Sequence, residues 1–397
     1  MNPYSKLTTL AAAALIAAAT VPSSPALAQD EVLRIGGIGS LSSGGTAWGL
    51  AIQRGAEIAI DEVNEAGGLQ VGDETYKVQL IMYDDGYTGQ GGTTAATRLV
   101  EEDKVSFIVG PIGSAPVLGV IGVTTPAEVV VMSDGYNPQI LDNEAHAPFN
   151  FRVTNTTNEF MPAAVAWLKE HYPDKQRIGI LAPNDATGQS VLPLMANFYE
   201  DAGFEVAFQE YFERGTKEFT PLLTRMMASG VDIFELDGNS PGDAALMVKQ
   251  LRQLGYQGTI IQVGGPSIEE IIEVAGPLAE GFLSYDMFDF GAQAAQDFID
   301  AYREKYGEGI INGQTPAFYN ATKVLLEAIR RAGTLDTTKV RDTLEQMEGY
   351  DAGLYGPLVW GGEKEYGVEH QMLLPFYISE VKDGKTVPVI QLTPEKG

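Results

Sequence analysis

The chain has no cysteine in 397 residues and only three histidines. The first absence excludes disulfides, thiolate nucleophiles, cysteine metal sites and lipid attachment at a leading cysteine. His146, His171 and His370 fall in a loop, at a helix end and in the tail, without ligand or triad spacing, so structural or solvent-exposed roles fit all three. Basic residues are scarce too: 26 Lys and Arg face 53 Asp and Glu, a formal charge of −27. Such a field repels a phosphate backbone, which argues against nucleic acid as a partner, and it favours solubility. After the first thirty residues no apolar run is long enough to cross a bilayer, so stable membrane insertion is not expected.

The start of the chain reads as a targeting segment. Lys6 supplies a positive n-region, residues 7–20 an Ala/Leu-rich core, and Ala26-Leu27-Ala28 a small-x-small cleavage site. Thr8, Thr9, Thr20, Pro22 and Pro25 interrupt or follow that core, leaving it too short to span. Residues 1–28 are therefore expected to be a cleaved signal peptide, with a mature start near Gln29 and a freely diffusing periplasmic product.

From residue 32 the pattern is strand, loop, helix, repeated. Strands are predicted over 32–38, 77–83, 105–109 and 129–132, then 177–181, 205–212, 232–236, 259–263 and 281–285, alternating with helical patterns. Short connections between alternating strands and helices imply right-handed crossovers and parallel sheets covered on both faces. The first loop, residues 39–45, is rich enough in Gly and Ser to read as unpacked. Two similar halves in one long chain predict two α/β lobes. Crossings between them are placed at Arg152, Met287 and Tyr355. This gives a first lobe of 29–152 plus 288–354 and a second of 153–287 plus 355–397, the latter ending in hairpin-like strands.

Ligands of open parallel sheets sit outside the carboxyl ends of the strands. The loops that qualify are 39–48, 110–114 and 133–137 from the first lobe and 182–188, 237–243 and 264–268 from the second, which nominates Ser42, Asn239 and Gly265 among others. In the stretch Phe107-Ile108-Val109-Gly110-Pro111-Ile112-Gly113-Ser114, a strand feeds a helix through a Gly-rich turn. That arrangement leaves backbone N–H groups and a hydroxyl where the helix dipole favours an anion. Ser114 is thus a candidate for a ligand carboxylate, or alternatively only the N-cap of its helix. Asp237 and Asp243 read either as ligand groups or as turn and cap residues.

These pieces together resemble the leucine/isoleucine/valine-binding proteins, the solute receptors of branched-chain amino acid ABC transporters. The residues that carry the likeness are Gly39-Ser40-Leu41-Ser42-Ser43-Gly44 with Trp48-Gly49, the helix end Asp61-Glu62-Val63-Asn64-Glu65-Ala66-Gly67-Gly68, and Phe107-Ile108-Val109-Gly110 with Ser114. Ser133 with Asn137-Pro138, Phe151-Arg152-Val153, Phe219-Thr220-Pro221-Leu222-Leu223 and Ala328-Ile329-Arg330-Arg331-Ala332-Gly333 extend it through the mature chain. The resemblance implies a type I periplasmic binding protein fold, two doubly wound parallel-sheet lobes joined by a three-segment hinge. It implies that Ser114 and the backbone at Gly135-Tyr136 bind a ligand carboxylate and that Trp48 packs on its side chain, the alternative being a core role for Trp48. Thr187-Gly188 stands where the family often has Tyr-Gly. The partners implied are a small-molecule carboxylate and a membrane permease, with the receptor a monomer without cofactor; a ligand sensor of the same fold is the other reading.

Two departures bear on the ligand. Amino-acid-binding members hold the ammonium with an acid in the second lobe, about where this chain has Gly264-Gly265-Pro266-Ser267. A buried ammonium without counter-charge is costly, so an α-amino acid would need Asp237 or Asp243. Tyr136 replaces a small hydroxyl residue in the carboxylate loop, which suits an aromatic acid stacked between Trp48 and Tyr136. An enzyme is not expected. Ser114 lacks a nucleophile elbow, and Gly37-Ile38-Gly39-Ser40-Leu41-Ser42 lacks the third small residue of a dinucleotide fingerprint.

Overall fold

A computed structural model describes residues 31–141 and 147–394 of the chain. The expected signal peptide, the mature start and His146 lie outside those residues. Two sheets organise the fold. The first takes its strands from the front of the chain: β1 Glu31–Gly39, β2 Leu69–Val71, β3 Glu74–Asp84, β4 Phe107–Ile112, β5 Val130–Asp134 and β6 Asn150–Arg152. β3, β1, β4, β5 and β6 lie side by side and run parallel, with β2 antiparallel on the outer edge of β3. Every residue of β4 and β5 is buried, as a parallel sheet roofed by helices on both faces requires.

The second sheet contains β7 Arg177–Pro183, β8 Glu205–Phe212, β9 Ile233–Glu235, β10 Thr259–Gln262 and β11 Leu283–Asp286, all parallel, in the order β8, β7, β9, β10, β11. In both sheets the winding reverses beside the first strand to be laid down, β1 in one and β7 in the other. The loops at the carboxyl ends of those strands therefore open a crevice in each sheet, and the two crevices meet.

The tail departs from the sequence reading. β12 Trp360–Gly361 and β13 Gln371–Met372 join the first sheet, β13 pairing with β6 through Gln371 and Arg152. Only β14 Phe376–Lys382 and β15 Lys385–Leu392 join the second, as an antiparallel hairpin on β11. The third crossing thus lies between Met372 and Phe376, not near Tyr355, and the first sheet keeps the chain up to Met372. The buried Arg152 side chain favours the choice: its guanidinium donates to the Asn137 carbonyl and to the Gln371 side chain, so the tail adds a second acceptor to a buried charge.

The other two crossings follow β6 and β11. After β11 the helix Gln293–Tyr306 returns to the first sheet, where Phe298 and Ile299 cluster with Ile58 and Ala59 of helix Thr46–Glu65. Asn155 ties the crossings together. Its side-chain amide donates to the Leu374 carbonyl at 2.8 Å and to the Tyr285 hydroxyl at 3.3 Å, and its oxygen accepts from the Leu374 N–H at 3.0 Å.

The loop at 40–45 is packed at its two ends, while Ser42 and Gly44 between them are exposed. Ser40 is buried, and a Cβ at Gly49 would stand 1.9 Å from the Ser40 carbonyl oxygen, so only glycine lets the helix come this close to the loop. β2 and the amphipathic helices Ile268–Ala275 and Thr337–Glu345 add to the predicted elements, and the helix that leads into β4 ends in a wider turn at Arg98–Glu102.

Candidate functional site

Between the facing carboxyl ends lies a small cavity of about 20 Å³ lined by Trp48, Tyr87, Ile112, Gly113, Asp134, Gly135, Tyr136, Thr187, Gly238, Gly265 and Gln314. The loops after β1, β3, β4 and β5 supply its first side in turn, and those after β7, β9 and β10 its second. Three aromatic rings and one isoleucine make the wall apolar, while Asp134, Thr187 and Gln314 supply polar side chains; no Lys or Arg is in the lining.

Several contacts bridge the two sides. The Trp48 indole N–H donates to the Pro266 carbonyl at 3.0 Å, and its ring lies against Gly265, where a Cβ would come within 3.1 Å of it. Gly265 has φ +65°, so both space and backbone call for glycine. The Ser114 N–H donates to the Thr187 hydroxyl at 3.1 Å, and the Gly242 N–H to the Gly44 carbonyl at 3.4 Å. Behind the Tyr87 ring the Arg214 guanidinium sits 4.6 Å from the ring centroid, held from its own side by Asp185 and Asp243.

Ser114 is the first residue of helix Ser114–Thr124, and Gly113, with φ +103°, takes the N-cap position. The cap reading of Ser114 is therefore corrected. Its hydroxyl oxygen accepts from the Tyr136 and Asn137 N–H groups at 3.1 and 3.0 Å, clamping the 134–137 loop to the helix start. Ser42 lies at the rim, donating to the Asp84 carboxylate, and does not line the cavity. Asn239 is buried behind the wall, its amide donating to the Leu181 and Leu236 carbonyls.

Asp237 is likewise behind the wall. Its carboxylate accepts from the Gly238 N–H and the Thr157 hydroxyl, the turn role rather than a ligand role. Burial, followed by the neighbouring Glu235 charge, pushes its carboxyl well above the usual range. Asp243 accepts from Ser240, the N-cap of helix Pro241–Gln253, and faces Arg214. Neither acid named for an ammonium reaches the cavity.

Among known proteins, the family model described as a periplasmic binding protein matches residues 32–386 of this chain. The chain belongs to this family. The leucine-, isoleucine-, valine-, threonine- and alanine-binding protein of Pseudomonas aeruginosa is 26% identical over 323 residues, 79% of this chain and 82% of that protein. A leucine-binding protein from Thermotoga maritima superposes with a TM-score of 0.78 at 23% identity, covering 91% of this chain and 98% of that one. A solute-binding protein of an ABC transporter from R. palustris, in complex with benzoate, also superposes with a TM-score of 0.78, at 18% identity over 91% and 97% of the two chains. The two-lobed type I architecture of the periplasmic binding proteins is thus the fold of this chain.

In this binding protein the cavity contains residues that sequence reasoning missed. Tyr87 follows the Asp84-Asp85-Gly86 break at the end of β3, and its place in a loop at a strand's carboxyl end is the signal that marks it. Asp134 ends β5 inside the 133–137 loop, where the sequence singles out Gly135 and Tyr136 and not the acid beside them. Gln314 starts helix Gln314–Ala332, and its amide donates to Asp134 Oδ2 at 2.8 Å across a separation of 180 residues. No spacing rule anticipates that pair. Burial pushes the Asp134 carboxyl up to about 6, against the Thr154 and Gln314 side chains and the Arg152 charge, which favour its ionised form. Among the described residues no group of three or more His, Asp or Glu side chains is arranged to hold a metal, and no helix is long and apolar enough to cross a membrane.

Proposed function

We propose that this chain is the periplasmic receptor of an ABC importer. It captures one small carboxylate in the cavity between the lobes and presents the closed form to a membrane permease without transforming its ligand. The observation that supports this most directly is the ring of contacts from both sides around one cavity, above all Trp48 to Pro266. A ligand that touches both walls binds the closed form better and so drives closure. The three crossings serve as the hinge, and the receptor is a monomer exported through a cleaved signal peptide.

A branched-chain or other amino acid is the leading ligand class, in keeping with the named ligands of the Pseudomonas and Thermotoga relatives. A non-amino aromatic acid is the second, favoured by Trp48, Tyr87 and Tyr136 in the wall and by benzoate in the R. palustris protein. The N-terminus of helix Ser114–Thr124 with the Gly135-Tyr136 backbone faces the carboxylate, and Trp48 packs on the remainder.

The test is a thermal-shift panel of amino acids, aromatic acids and aliphatic acids on the mature protein, followed by calorimetry and small-angle scattering. A true ligand at ~100 times its dissociation constant adds roughly 2.7 kcal/mol of stability. It also contracts the particle and is recovered unchanged. A ligand that is converted, or one whose affinity ignores Trp48→Ala, overturns the reading.

A further inference from the structure

Asp134 and Gln314 form a pair of acceptors with unused capacity inside the cavity. Both line it, and both side chains are almost wholly buried, 2% and 1% exposed. The Gln314 NH2 donates to Asp134 Oδ2, which fixes the amide's orientation: only its nitrogen can face the carboxylate. Gln314 Oε1 is thereby left as an acceptor without a donor, and Asp134 Oδ1 has none either. The Gly113 N–H holds the Asp134 carbonyl at 2.7 Å and anchors the residue to the start of the Ser114 helix.

The surrounding groups do not fill this capacity. Thr154, whose hydroxyl also lacks a partner, lies beside Asp134 and has one proton to give, which leaves Gln314 Oε1 bare. Arg152 favours the ionised form from a distance without donating to Asp134: two of its guanidinium nitrogens go to Gln371 and Asn137, and its buried Nε has no hydrogen-bond partner. Tyr87, Tyr136, Tyr285 and Asp237 also feel the Asp134 charge, and none donates to it. A bare buried acceptor at Gln314 Oε1, beside a carboxylate whose one further local donor is the Thr154 hydroxyl, costs stability unless a donor arrives from elsewhere. A plain carboxylate set beside them adds a second negative charge in a wall without Lys or Arg, whereas an ammonium has three donors and the opposite charge.

Resting on the binding-cleft reading above, we propose that the Asp134–Gln314 pair of the first lobe is the specificity site for an ammonium group on the ligand. It replaces the second-lobe acid that this chain lacks at 264–267. A zwitterion then meets helix and loop amides at one end and the acceptor pair at the other. The aromatic rings bound whatever side chain it carries.

Calorimetry with matched probes tests this: L-leucine against 4-methylpentanoate, L-phenylalanine against 3-phenylpropanoate, the remaining amino acids singly, and 4-hydroxybenzoate against benzoate. The expected result is that whichever amino compound binds does so at least about a hundredfold more tightly than its deaminated twin. Asp134→Asn, which keeps the shape and an oxygen for Gln314, weakens that compound by roughly tenfold to a hundredfold and erases the preference. The inference is overturned if a deaminated acid or a benzoate binds as tightly as any amino compound, if no amino acid binds, or if a folded Asp134→Asn protein keeps the preference. The wild-type comparison stands alone should that variant fail to fold. A non-amino acid that binds and is weakened by Trp48→Ala leaves the cleft reading intact while sinking this one; a ligand indifferent to Trp48→Ala sinks the cleft reading itself.

Discussion

The Trp48 indole N–H reaches the Pro266 carbonyl across the cleft, a bond between residues 218 positions apart that joins the helix after β1 to the loop after β10. The same ring is packed against Gly265 and stands 6.0 Å from the Tyr87 ring. One side chain therefore forms cavity wall and interlobe bond together. The two roles separate by substitution. Trp48→Phe removes the bond but keeps a ring, and is expected to cost about 1 kcal/mol of binding, several-fold in affinity, while Trp48→Ala costs much more. Calorimetry on both variants checks the order.

Ser114→Ala tests the clamp rather than a ligand contact alone. The substitution leaves the Tyr136 and Asn137 N–H groups without their acceptor, so about 1–3 kcal/mol of stability is lost in addition to affinity. Thermal unfolding of the ligand-free protein measures the first effect. An unchanged midpoint would mean that the loop does not need the hydroxyl.

Tyr87→Leu removes the ring that Arg214 covers while leaving Arg214 paired with Asp185 and Asp243. A desolvated cation–ring contact is worth up to about 2 kcal/mol. Since the contact joins the lobes, its loss is expected to weaken ligand binding by as much as ~30-fold with little change in the stability of the second lobe. Scattering with and without ligand reports whether closure is incomplete.

Buried carboxyls set the pH dependence. Burial pushes Asp85, Glu235 and Glu270 up to about 7 and Asp286 to about 8. In each case the folded protein keeps a proton that the unfolded chain releases near pH 4 to 5. Their contribution to stability is complete below that range and is lost as pH rises through 7 to 8. The ligand-free unfolding midpoint should fall over that span. Asp286→Asn, whose amide oxygen still accepts from the Phe288 N–H, should flatten the upper part. A midpoint that climbs with pH contradicts this assignment.

The alternation of apolar runs and Gly-rich breaks made both sheets legible, because each strand is buried on two faces and each loop must escape them. The same logic brought Trp48, Gly135, Tyr136, Thr187 and Gly265 to the cavity lining through their positions at strand ends. It failed where a residue's role depends on a distant partner. Asp134 reads as a turn residue until Gln314 arrives from 180 residues away, and Asp237 stays open between ligand and turn roles until Thr157 and Gly238 are seen to occupy it. The strands at 360–361 and 371–372 are two residues each and carry no period. Their place in the first sheet is favoured by buried Arg152, which no local pattern announces.

The Asn155 amide binds one crossing segment on both its edges and touches the end of a second. Tethers stitched to one another cannot slide or twist independently, so the jaws are left a single axis about which to swing. A guest of the cleft then enters and leaves by the same mouth, on the side away from that stitch.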